Sequence, residues 1–228
     1  TDVVPGDAAN SDEFAEVHSF FHVNRVYDWV RGLSGGTFKM RDEKLNPPVK
    51  PVVWSNAMFP NFNELMSNFQ CLPPPIGQGG TCVANTLVRI DNAAFMPREQ
   101  FSQIPISGFD TGADTLMIFQ GNSADAAYDA TVIQHEFGHG VVYATANLSI
   151  SSVASDSYGA NNEGGALHEG FADYIAAAFN NTPEVGPYFG PRVAAGAGQS
   201  ANGALRNLTN QDRCPSVLWG EVHQDSMH

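Results

Sequence analysis

Residues 124–146 read ADAAYDATVIQHEFGHGVVYATA and residues 163–179 read EGGALHEGFADYIAAAF, and these two stretches decide the fold. In the first, Tyr128, Val132, His135, His139 and Val142 recur at helical spacing, which predicts a helix from Ala124 to about Ala146 with Ser123 as its N-cap. Gly138 stands inside that helix at a cost of about 1 kcal/mol relative to Ala, so close approach of another backbone or of substrate is the expected compensation. The second stretch predicts a helix from about Glu163 to Phe179, and the polar segment between them, NLSISSVASDSYGANN, reads as a long loop.

Outward from this pair the texture changes. Asn10 to Leu33 reads as a long first helix, capped by Asn10 with Glu13 three residues on, with Phe14, Val17, Phe21 and Tyr27 to Val30 at helical spacing and Ser34-Gly35-Gly36 as its end. From Thr37 to Gly121 short β-rich runs (Val52 to Trp54, Thr81 to Ile90, Thr115 to Gln120) alternate with Pro and Gly. The expected class is therefore α+β. Residues 1–122 read as an N-terminal helix plus a β-rich part, 123–146 as a single helix, and 147–228 as the start of a mainly helical part.

His135-Glu136-Phe137-Gly138-His139 carries the chemistry. Two histidines four apart on a helix project from one face, so both imidazoles can reach one Zn²⁺, while Glu136 lies close enough to act as general base on the attacking water. With seven His among 228 residues the pattern arises by chance in about 1% of chains of this composition. A catalytic zinc takes three protein ligands and keeps one position open. Glu169 supplies the third, and Asp173, four residues on, is placed to accept the other ring N–H of a ligand histidine. His168 competes with Glu169 as ligand but points about 100° away on the helix, so both cannot face the metal.

HEFGH followed thirty residues later by GALHEGFAD resembles the signature of the gluzincin metallopeptidases, nearest to the thermolysin-like and fungalysin-like families. Ile90-Asp91-Asn92-Ala93-Ala94-Phe95 resembles their edge strand, and Gly220-Glu221-Val222-His223 resembles their G-x-V-H segment. The resemblance implies a thermolysin-like fold and a zinc endopeptidase. Its metal ligands would be His135, His139 and Glu169, its general base Glu136 and its oxyanion donor His223, with Asn92 and Ala93 binding the peptide backbone. The assisting tyrosine of that family has two candidates here, Tyr143 and Tyr158. Calcium ligands do not transfer residue by residue, so Ca²⁺ stays open as a second ion. The family's lower part continues past the G-x-V-H segment, whereas this sequence ends five residues after His223. A further C-terminal segment or second chain completing the lower part is the expectation.

Composition narrows the alternatives. Eleven Lys and Arg against 24 Asp and Glu leave a net charge of −13, which argues against nucleic acid as partner, and no apolar run reaches the roughly 20 residues of a membrane-spanning helix. Cys71 and Cys82 bracket a Pro/Gly loop and predict a disulfide contributing about 3 kcal/mol, with Cys214 left over. Thr1 onward reads as the processed start of an exported, extracellular protein acting on peptide or protein substrates. Two rivals remain. An aminopeptidase needs acidic groups to hold the free amine and, in the gluzincins, a G-x-M-E-N segment that this sequence lacks; a silent zinc-stabilised binding module is expected to lose Glu136 before its ligands.

Overall fold

The computed structural model describes residues 12–61, 87–101, 111–146, 148, 154–156, 159–161, 163–199 and 203–209. Cys71, Cys82, Cys214, Tyr158 and the Gly220 to His223 segment lie outside the described residues, as do most of the expected strand from Thr81 and the Asn10 cap.

Helix α1 spans Glu13–Leu33 and is capped by Asp12, whose carboxylate accepts from Ala15 N at 3.1 Å. Glu13 and Glu16 in its first turn favour the positive end of the helix dipole. Gly36 at its end takes φ +85°, a left-handed turn that only glycine adopts without strain, and donates its N–H to Arg31 O. The buried stripe is Ala15, Ser19, Val26 and Val30. Val17 and Phe21, two of the apolar residues at helical spacing, are 59% and 50% exposed.

Strand β1 (Val52–Ala57) runs parallel to β5 (Thr115–Phe119), and β4 (Ala93–Met96) pairs antiparallel with β5 on the other side. Because β5 is central, both its faces are covered: Leu116 and Ile118 join the main core beneath the helices, while Met117 and Phe119 pack with Ala57 in a smaller second core. Strands β2 (Phe59–Pro60) and β3 (Leu87–Val88) form a separate two-stranded ladder. The short helix α2 covers Arg98–Phe101.

The helix expected from Ala124 begins later. Asp91 Oδ1 takes the N–H groups of Ser123 and Ala124, so Ser123 closes a loop instead of capping, and a 3₁₀ turn follows at Ala126–Tyr128 with Asp125 accepting from Ala127 N. Helix α3 then spans Ala130–Thr145, its N-cap being Asp129. One Asp129 oxygen accepts from Thr131 N, Thr131 Oγ1 and Val132 N, and the other accepts from Tyr188 N and Phe189 N. Asp is as good a cap as Ser, and the two aspartates sit nearer the helix, so they win.

The expected polar loop contains a hairpin of two short strands, β6 (Ala154–Asp156) and β7 (Gly159–Asn161). Helix α4 follows over Glu163–Asn180, ended by Asn181 at φ +53°, and antiparallel β8 (Glu184–Val185) and β9 (Arg206–Asn207) flank helix α5 (Phe189–Gly196). The class is α+β. Helix α3 lies between α1 and α4, over the face of the sheet formed by Leu116 and Ile118.

Candidate metal centre

The centre is built where α3 and α4 meet. A Cβ added to Gly138 would stand 2.7 Å from Ala172 Cα and 3.1 Å from Ala172 O, so glycine allows the two backbones to touch. That contact brings the middle of α3, with His135, Glu136 and His139, against the turn of α4 that holds Glu169 and Asp173.

His135 Nε2 lies 3.1 Å and His139 Nε2 3.4 Å from the same atom, Glu169 Oε2. The two imidazoles stand nearly perpendicular with ring centres 4.6 Å apart. His135, Glu136 and His139 are 5%, 6% and 4% exposed, and each offers a ligand atom within 4.8 Å of the others, so the group could hold a metal ion. Glu136 is also near enough to ligate. The Glu169 carboxylate faces both Nε2 atoms, whereas Glu136 Oε2 is buried without a hydrogen-bond partner among the described residues. A buried carboxylate oxygen left open in this way fits a water or substrate group that the cleft would bring to it.

The outer nitrogens are held as well. His135 Nδ1 is 2.6 Å from Asp173 Oδ1, and Arg206 grips Asp173 with both ends of its guanidinium, Nε to Oδ2 at 2.6 Å and Nη2 to Oδ1 at 2.8 Å. His139 Nδ1 is 2.7 Å from His168 Nδ1. His168, the competing ligand on the sequence reading, therefore addresses the far side of His139 and leaves the inner side to Glu169. Arg206 was not foreseen. It arrives through the two-residue ladder of β8 and β9, and nothing in its local sequence marks it.

The electrostatics favour a cation at this point. Burial disfavours a charged His135, yet hydrogen bonds with Asp173 and Glu169 outweigh it and push its pKa up to about 9. Burial would raise Glu169 and Asp173, but the two histidines hold the Glu169 carboxyl well below the usual range, and His135 with Arg206 lowers Asp173 to about 2. Burial and the neighbouring His139 lower His168 to about 4, so it is a neutral imidazole at physiological pH. The Glu169 carboxylate facing both Nε2 atoms is a fit environment for a divalent metal, with which a proton on His135 would compete.

A cleft of about 310 Å³ opens over the centre. Its floor is Val132, His135, Glu136 and His139; one wall is Asn92 to Phe95, the edge strand β4 with the residue before it; the other holds Glu169, Phe189, Leu205 and Arg206. Asn92 and Ala93 thus face the same space as Glu136. Tyr143 does not line it: its hydroxyl donates to Glu99 Oε2 at 3.3 Å and its ring lies 4.6 Å beneath the Arg41 guanidinium. No family model matches the chain, and a search of the curated proteins finds no match either.

Proposed function

We propose that the chain is an exported zinc-dependent endopeptidase of the gluzincin type, hydrolysing internal peptide bonds. The observation that carries it is the convergence of two imidazole nitrogens on one carboxylate oxygen, beside a buried glutamate with an open oxygen, beneath an edge strand. His135, His139 and Glu169 would hold the ion. Bound there, zinc supplies a Lewis acid that lowers the pKa of water and polarises the scissile carbonyl.

The protein's own groups do the rest. Glu136 takes the proton of the attacking water and passes it to the leaving amine. Asp173, clamped by Arg206, accepts from His135 Nδ1, which leaves the lone pair on Nε2. The edge of β4 away from β5, unpaired among the described residues and with Asn92 at its start, can add an extended peptide as a further strand. On the resemblance alone, His223 is assigned the hydrogen bond to the developing oxyanion. Endopeptidase is favoured over aminopeptidase because the cleft, among the described residues, contains no carboxylate besides Glu136 and Glu169 to hold a free amine.

The test combines metal analysis with identification of peptide fragments by mass spectrometry. One zinc per chain and internal cleavage are expected, and Glu136→Gln should retain the metal while kcat falls 10²-fold or more, roughly the scale of general-base loss. Release of single N-terminal residues would establish the aminopeptidase instead. A Glu136→Gln variant keeping more than about a tenth of wild-type kcat would remove Glu136 as base.

A further inference from the structure

We propose that His168 is a positioning residue for His139, fixing the tautomer and ring orientation of that ligand by accepting its Nδ1 proton. The inference rests on the metal reading above and concerns a histidine to which that reading gives no part. His139 Nε2 faces Glu169 Oε2 at 3.4 Å, and a nitrogen that is to bind a metal must present its lone pair there. The His139 proton then sits on Nδ1. That atom is 2.7 Å from His168 Nδ1, and two nitrogens at this distance share one proton, so His168 Nδ1 must be the acceptor and carry its own proton on Nε2. His168 is 2% exposed and its ring lies 4.9 Å from that of His139 at 35°, which leaves no room for solvent to take over the role.

The two ligands are thereby made unequal. The outer nitrogen of His135 meets a carboxylate anchored by arginine, whereas that of His139 meets a neutral imidazole. A carboxylate partner makes an imidazole the stronger donor, so His139 is the weaker ligand and depends more on being oriented. A rotation of the His139 ring, unopposed once its partner is gone, would carry Nε2 away from Glu169.

The experiment uses the full chain and inorganic zinc, measured by competition with a chromophoric chelator, together with the visible absorption of the cobalt-substituted protein. His168→Leu fills the space without an acceptor and should weaken zinc affinity about 10- to 100-fold and alter the cobalt spectrum. His168→Asn places an amide oxygen at the same distance from Cα as the lost Nδ1, and should restore both to near wild type. If the leucine variant fails to fold, His168→Ala takes its place in the comparison. Wild-type affinity and spectrum in the variants without an acceptor would overturn the proposal, as would equal losses in the leucine and asparagine variants, since then only volume matters. A wild-type chain that binds no zinc would overturn the metal reading and this one together, an outcome distinct from either.

Discussion

Helix α3 is held differently on its two sides. Toward α4 the contact is backbone on backbone at Gly138 and Ala172. Toward α1 it is cushioned by side chains: the Tyr27 and Phe137 rings meet edge to face at 6.2 Å, and His22 Nδ1 accepts from the Gln134 amide at 3.3 Å. Side chains can change rotamer to absorb a perturbation, whereas two touching backbones can only separate. The proposed ligands, His135 and His139 on one helix and Glu169 on the other, lie across the unyielding contact. The forgiving one faces away from them.

Two glycines of α3 test the difference between a backbone contact and a side-chain contact. Gly138→Ala should gain about 1 kcal/mol of helix propensity and lose about 3 kcal/mol to the clash with Ala172, a net loss of about 2 kcal/mol that lowers Tm by roughly 4–8 °C. Because α4 must move away, zinc affinity should fall with it. Gly140→Ala faces neither α1 nor α4 but side chains, the flexible end of Met40 and, in β4, Phe95 Cε2 at 3.1 Å, and should stay within about 1 kcal/mol of wild type with affinity unchanged. Equal effects of the two, by thermal melts and zinc titration, would show that the α4 side is no stiffer.

Parts of this arrangement were legible in the sequence because they depend on spacing within one helix. The i, i+4 placement of His135 with His139, and of Glu169 with Asp173, puts each pair on one face whatever the rest of the chain does. The compensation sought for Gly138 was legible in the same way, as an unfavourable residue in a strong helix. What was not legible depends on contacts between distant segments. Arg206 reaches Asp173 only through the pairing of Val185 with Arg206. Which face of α1 is buried was not legible either: Ser19 is fully buried while Val17 and Phe21 are exposed, a choice made by what lies opposite and not by hydropathy. The N-cap of α3 was misread because three cap-forming residues compete within seven positions, and Asp91, far away in sequence, removes Ser123 from the contest.

A smaller effect is expected at the end of α3. Asp129 satisfies N–H groups of α3 and of the segment entering α5, and so ties Phe189, a wall of the cleft, to the helix that carries the histidines. Asp129→Ala leaves those donors unpaired and should cost about 2 kcal/mol, read as a lower Tm. Asp129→Asn keeps one acceptor and should recover part of it. If the alanine variant melted as wild type does, the tie between the two helices would carry no weight.

The smallest effect separates the two aspartates that lead into the helix, and it depends on pH. Burial pushes the Asp125 pKa up to about 6, with nearby Asp12 adding to it while the Ala127 N–H and Arg89 work the other way. A carboxyl whose pKa is higher folded than unfolded binds its proton more tightly in the native state. Its contribution is therefore favourable below the unfolded value of about 4 and is lost as pH rises through about 6. Asp125→Asn removes the charge yet keeps an oxygen for Ala127 N, since asparagine caps as well as aspartate. At pH 7 the variant should be the more stable by about 1 kcal/mol, a figure already reduced for solvent screening of a half-buried carboxylate, or roughly 2–4 °C in Tm. At pH 4 the gain should vanish, because wild-type Asp125 is then protonated in the folded state. The measurement is the difference in Tm between variant and wild type across pH 4 to 8, in which the titration of all other groups cancels. A difference that stayed flat across that range would mean that Asp125 is no more strained by its burial than an ordinary surface carboxylate.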